Sequence, residues 1–295
     1  MRVGAAVRSD ERQRLITLLN LDLESGRPAA SDYRLFTAWR EDDLVGASAW
    51  FRAADGSAML MRPWASLATV PAATELYSAM ATDAQIAGCR YALALADPDD
   101  PWNEESLTAA QFSRLAEFAT LSRRLDGRDS DWPEFQARFV EFTEDLRERF
   151  QELFATIQRE SDDCLGIRGL RSTDEAFAMF AAAGRFRPED WLLLEYDSRD
   201  AALLLMNETA DAAVLEIAFL GVVPELRRRG IGRGLVTEAI QRAAWRDFPK
   251  VITAVDVVNM AASHLYDRLG FVETSRHQVF VKHLPAASQC VSRES

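Results

Sequence analysis

Val222-Val223-Pro224-Glu225-Leu226-Arg227-Arg228-Arg229-Gly230-Ile231-Gly232-Arg233-Gly234 follows an apolar run, Ala212 to Val223, and precedes Leu235, Ala239, Ile240 and Ala243 at helical spacing. The pattern predicts a buried strand, a tight loop and a helix. Glycine at 230, 232 and 234 removes the Cβ atoms that would hold a phosphate off the backbone, and the first helical turn leaves N–H groups unpaired. The charge agrees: a chain of formal net charge −12 places four arginines and no acid between Arg227 and Arg233. Other phosphate motifs fail on the letters. A P-loop requires G-x-x-x-x-G-K-[ST], absent here, and Leu235 occupies the third glycine position of the dinucleotide fingerprint G-x-G-x-x-G. What remains is R-x-x-G-x-G at Arg227, Gly230 and Gly232, set against the plainer alternative of an arginine-rich turn before a surface helix.

A second segment bears on that choice. Val251 to Val257 reads as another buried strand and is followed by Asn259, Ala262, Leu265, Tyr266, Gly270 and Phe271. With one helix and one strand between them, the two segments resemble the GNAT family of acyl-CoA-dependent N-acyltransferases: the first is similar to its pyrophosphate loop, the second to its N-x-x-A-x-x-L-Y-x-x-x-G-F segment. The resemblance covers residues 135–284. It implies acetyl-CoA as co-substrate, with Arg227, Arg228, Arg229, Gly230, Ile231, Gly232, Arg233 and Gly234 around the pyrophosphate. The backbone of Leu220 and Val222 would take pantetheine as an added strand. Asn259 would bind cofactor or fix the strand end.

Two side chains fit catalytic roles under this resemblance. Glu216 is the ionisable group of an otherwise apolar strand, and family members with a similar E-[IV]-x-F-x-x-V run use that glutamate as general base; pairing to an arginine in the sheet is the other reading. Tyr266 stands where family members place a phenol near the departing sulfur, able to donate to the thiolate. Its alternative is a core tyrosine with its hydroxyl at the surface. His264, two residues away, is expected on a different helix face and structural. An acyl-cysteine route is disfavoured, since Asp162 and Asp163 flank Cys164 while Cys89 and Cys290 lie away from the motifs.

With 295 residues, 48% of them hydrophobic, the chain has room for two domains. No apolar run approaches the roughly 18 residues of a membrane span, and without a signal-peptide pattern the cytoplasm is the default expectation. Three scattered cysteines and three histidines without ligand spacing argue against disulfides and a metal site. The acidic balance argues against a nucleic-acid surface.

A hydrophilic stretch, Asp126 to Pro133, reads as a linker between two similar successions of elements. Before it, strands are expected at 33–39, 44–53, 57–64 and 90–96, with helices at 12–21, 73–88 and 104–112. After it come a strand near 135–142, helices at 145–158 and 173–183, strands at 191–196 and 201–206, the motif segments, and a final strand at 276–284. The fold class is therefore α/β of the α+β mixed-sheet kind: two tandem GNAT-like folds, each a mostly antiparallel mixed sheet flanked by helices. The domains are residues 1–130 and 131–295, with a tail from about 285. The layout resembles that of the mycothiol synthases.

The first copy reads as degenerate. No glycine and no cation other than Arg62 lies between Ser57 and Ala87, and if Gln111-Phe112 corresponds to Gly270-Phe271, Leu107 replaces the tyrosine. It is either a wall of the acceptor pocket or structural support. The expected activity is acetyl transfer to an amine, of a small molecule, in a ternary complex. Acetylation of a cysteinyl amine and a non-catalytic acetyl-CoA-binding regulator are the alternatives. The loops 161–169 and 183–190 carry no pattern that identifies an acceptor.

Overall fold

The computed structural model describes residues 1–5, 9–19, 21, 28–65, 70–126, 137–161, 166, 169–209 and 214–285. Most of the expected linker, Cys164, Cys290 and the tail after residue 285 lie outside them. The chain divides into two compact units, one made of Met1–Ala116 with the chain from His277 onward, the other of Glu117–Arg276. This partition differs from a contiguous division at residue 130, and two long strands explain why.

The first unit begins with strand β1 (Arg2–Ala5) and helix α1 (Ser9–Leu18). Then follow β2 (Arg34–Arg40), β3 (Asp43–Arg52), β4 (Ala58–Leu60), β5 (Trp64–Ala65), α2 (Val70–Ile86), β6 (Tyr91–Ala96) and α3 (Pro101–Ala109). Strand β7 (Ser113–Arg124) leads into the second unit, and β13 (Val272–His283) leads back to the first. In the first unit the sheet order is β1-β2-β3-β4-β6-β13, with β5 pairing β3. All its pairs are antiparallel except β4 with β6, where Ala58 to Leu60 run parallel to Ala92 to Ala94. Phe280 and Leu284 complete the core formed with Leu76, Tyr77 and Met80 of α2. The expected strand 57–64 is thus two short ones. Helix α3 starts three residues earlier than its apolar spacing suggested, because Asp100 accepts from the Asn103 N–H and Pro101 occupies the first helical position.

The second unit contains β8 (Arg138–Glu141), α4 (Arg147–Arg159), α5 (Thr173–Ala182), β9 (Trp191–Tyr196), β10 (Arg199–Glu208), β11 (Leu215–Val222), α6 (Ile231–Trp245), β12 (Lys250–Asp256) and α7 (Met260–Arg268). Its sheet order is β7-β12-β11-β10-β9-β8, antiparallel except for β11 with β12. Strand β10 is central: Ala201 to Met206 are completely buried. One face packs on Ile231, Leu235, Val236, Ala239, Ile240 and Ala243 of α6, the other on Phe150, Phe154 and Ile157 of α4 and Phe177 of α5. Burial of each large apolar side chain contributes about 1.5–3 kcal/mol, so the helical spacing read from α6 amounts to a substantial docking energy. Among the described residues no helix is long and apolar enough to cross a membrane, and no group of metal-ligating side chains gathers.

The two units share local geometry as well as element order. In α7 the chain ends its helix with Gly270 at φ 81°, and the Phe271 N–H donates to the Tyr266 carbonyl at 3.1 Å. In α3 Gln111 takes φ 65° and the Phe112 N–H donates to the Leu107 carbonyl at 3.0 Å. Leu107 therefore occupies the position of Tyr266, fully buried and without a hydroxyl.

Candidate active site

The site lies in the second unit, where two parallel strands part. Strand β11 pairs β12 only from Leu215 to Ile217, against Val251 to Thr253, although both strands continue. At the same level the register of β11 with β10 slips: Leu205 faces Phe219 while Met206 faces Ile217, which leaves Ala218 as the extra residue of a β-bulge. A bulge bends its strand and increases the twist. Beyond it a cleft of about 680 Å³ opens, lined by Ala218 to Val222 on one side and Thr253 to Val255 on the other.

The loop after β11 closes one end of the cleft. Pro224–Leu226 form a single 3-10 turn, Arg228 adopts φ 63°, and Gly230 adopts φ 85° as the residue capping α6. Only the glycine takes that left-handed conformation without steric cost. Gly232 lies in the first turn of α6, where a Cβ would stand 3.3 Å from the Leu265 Cδ2 of α7. The unpaired N–H groups and the positive end of the helix dipole therefore border the cleft. Arg228, Gly230, Ile231, Gly232 and Arg233 are all in its lining, whereas Arg229 and Gly234 are not. Within a chain of net charge −12, the described residues of that lining include arginines and a histidine but no carboxylate.

Arg227 also lines the cleft, but its guanidinium faces carbonyl oxygens: Nε donates to Val222 at 3.1 Å, Nη1 to Glu160 at 2.7 Å and Nη2 to Ile157 at 3.4 Å. Asn259 caps α7 through its Oδ1, which accepts from the Ala262 N–H at 3.1 Å. Leu265 and Tyr266 of α7, and Leu269 just after it, line the cleft. Tyr266 is nearly buried, its ring 5.1 Å from that of Phe271 in an edge-on arrangement. His264 and Arg268 line the cleft too, although His264 was expected only as a structural residue on a different helix face from Tyr266. One helical turn separates the two side chains, and the cleft is wide enough to meet more than one face of this short helix.

Glu216 sits just before the strands part and is half-buried. Burial pushes its carboxyl above the usual carboxylate range. Its cross-strand neighbour, Asn207, is neutral and committed, donating to the Phe180 carbonyl at 2.6 Å and accepting from the Trp191 indole at 3.3 Å. Among the described residues no arginine pairs with Glu216. The arginines of this region serve other acids: Arg246 binds both oxygens of Asp190 at 2.7 Å and also contacts Glu208.

These features agree with the comparisons. The model of the Acetyltransferase (GNAT) family matches residues 128–271. A mycothiol acetyltransferase of Acidimicrobium ferrooxidans is 34% identical over 106 residues, 35% of this chain and 34% of that protein. The chain thus spans about a third of the length of that relative. Two solved structures share the fold across nearly the whole chain. A GCN5-related N-acetyltransferase from Sphaerobacter thermophilus has a TM-score of 0.64 at 16% identity, covering 96% of this chain and 95% of its own. A tandem GNAT protein from the clavulanic acid biosynthesis pathway has a TM-score of 0.60 at 13% identity, covering 97% and 99%. Residues 128–271 thus make up an acetyltransferase domain of the GNAT family, within a chain that shares the fold of a tandem GNAT protein.

Proposed function

We propose that the protein is an acetyl-CoA-dependent N-acetyltransferase whose acceptor is the amine of a small molecule. The observation that carries this reading is the cleft between the parted strands, where glycine N–H groups, cations and a tyrosine converge with no opposing acid among the described residues. The open edge of β11 from Leu220 to Val222 suits the amides of pantetheine, and the end of α6 with Arg228 and Arg233 suits the pyrophosphate. An alkyl amine resembles lysine, with a pKa of about 10.4, and must lose a proton before it attacks. Glu216, raised by burial toward the working range, receives that proton, directly or through water. The amine nitrogen bonds to the thioester carbonyl carbon, the carbon–sulfur bond breaks, and the Tyr266 hydroxyl donates to the leaving thiolate.

Mycothiol acetyltransferases among the relatives favour, within this reading, an acceptor that carries a cysteinyl amine. A panel of amines incubated with acetyl-CoA and followed by release of free thiol tests both levels. Turnover confined to cysteinyl compounds selects the narrower acceptor. Binding of acetyl-CoA with no turnover on any amine would favour a regulator that only senses the cofactor.

A further inference from the structure

An arginine that opens a phosphate loop invites the role of phosphate ligand, but the geometry of Arg227 points elsewhere. Its three hydrogen bonds to the described residues all end on backbone carbonyls, one at the last residue of β11 and two at the end of α4. Those helix carbonyls belong to the final turn, which has no intrahelical donors of its own, and a cation there also opposes the negative end of the helix dipole. A second contact holds the same two elements together. At Gly221 a Cβ would lie 2.4 Å from the Ile157 Cγ2, so the absence of a side chain allows α4 to rest directly on the β11 backbone. Ile157, Ser161, Gly221 and Val222 all line the cleft, which makes this junction part of its wall.

We infer that Arg227 is a positioning residue, which bolts the end of α4 to the exit of β11 and so holds the cleft in its binding shape, and that it does not act as a ligand of the phosphates. The inference rests on the reading of the cleft as an acetyl-CoA site. It turns on a difference between two side chains: lysine can replace arginine as a point charge for phosphate, whereas it cannot reproduce a planar fork spanning three carbonyls.

The test is acetyl-CoA titration of the full chain carrying Arg227→Ala or Arg227→Lys, at a temperature well below each variant's melting point. Hydrogen exchange of the amides of residues 155–160 is followed in the ligand-free proteins. Both variants are expected to bind roughly tenfold more weakly, through loss of preorganisation, and to exchange faster in that turn. Wild-type affinity in Arg227→Lys with weak binding in Arg227→Ala would assign the residue to the phosphates and overturn the inference. Unaltered affinity in both, or unaltered exchange in the free protein, would overturn it equally. If wild-type protein binds no acetyl-CoA, the functional reading itself fails, before any variant is compared.

Discussion

Glu216 and Tyr266 carry the chemistry proposed here, and each makes a prediction of opposite character. For Tyr266→Phe, turnover should fall by about 10²- to 10⁴-fold with acetyl-CoA affinity nearly unchanged, because the hydroxyl matters only as the thiolate leaves. An unchanged turnover number under rate-limiting chemistry would reduce the phenol to packing against Phe271. For Glu216 the sign of the linkage is informative. Its pKa in the folded protein is raised, so the carboxylate lowers stability at neutral pH, and that penalty is relieved as pH falls through the raised value. Glu216→Gln should therefore raise the melting temperature at neutral pH while removing the rising limb of the rate against pH. A lowered melting temperature with an unaltered pH profile would instead reveal a structural partner and exclude the general base. The sequence exposes this residue because an acid within an apolar strand is conspicuous. It does not expose the side-chain environment of Arg227, since nothing in the letters tells whether a guanidinium meets a phosphate or the carbonyls of a helix far away in the chain.

The elements that matter most are β11 and the two that follow it. Pairing of β11 and β12 ends at Ile217 and Thr253, and the Ala218 bulge turns the remainder of β11 away. Gly221→Ala would add a methyl where Ile157 already sits, and we expect a loss of about 1–3 kcal/mol by urea unfolding. Weaker acetyl-CoA binding should accompany it as α4 shifts; undiminished stability would show that α4 yields without strain. Strand β11, α6, β12 and α7 are legible from pattern and motif alone, because an apolar run, a glycine-rich turn, a helical apolar stripe and a second apolar run follow in order. Strand β7 was not. Its sequence, Ser113-Arg114-Leu115-Ala116-Glu117-Phe118-Ala119-Thr120-Leu121-Ser122-Arg123-Arg124, lacks clean alternation, and most of its side chains are only half-buried. The bulge also escapes a reading by period, since one extra residue leaves the surrounding apolar pattern intact.

At the scale of the whole molecule, tandem layout and unequal copies lead to a stoichiometry. Isothermal titration should find one acetyl-CoA per chain, abolished by Gly232→Asp, which places a charge of the wrong sign in the first turn of α6. Two equivalent sites would overturn the reading of the first copy as degenerate. Element order made the two copies visible in the sequence, but not which strands complete which unit, because pairing partners far apart in the chain leave no local mark. That pairing has a consequence for synthesis. Strand β6 receives its neighbour from residues 278–283, so while a ribosome is still translating the second unit, the first has an open sheet edge. Early domains commonly fold as they emerge, and this one is held incomplete until nearly all of the chain exists. A nascent chain halted after residue 130 should remain bound by chaperones or aggregate, and supplying residues 272–285 in trans as a peptide should restore its solubility.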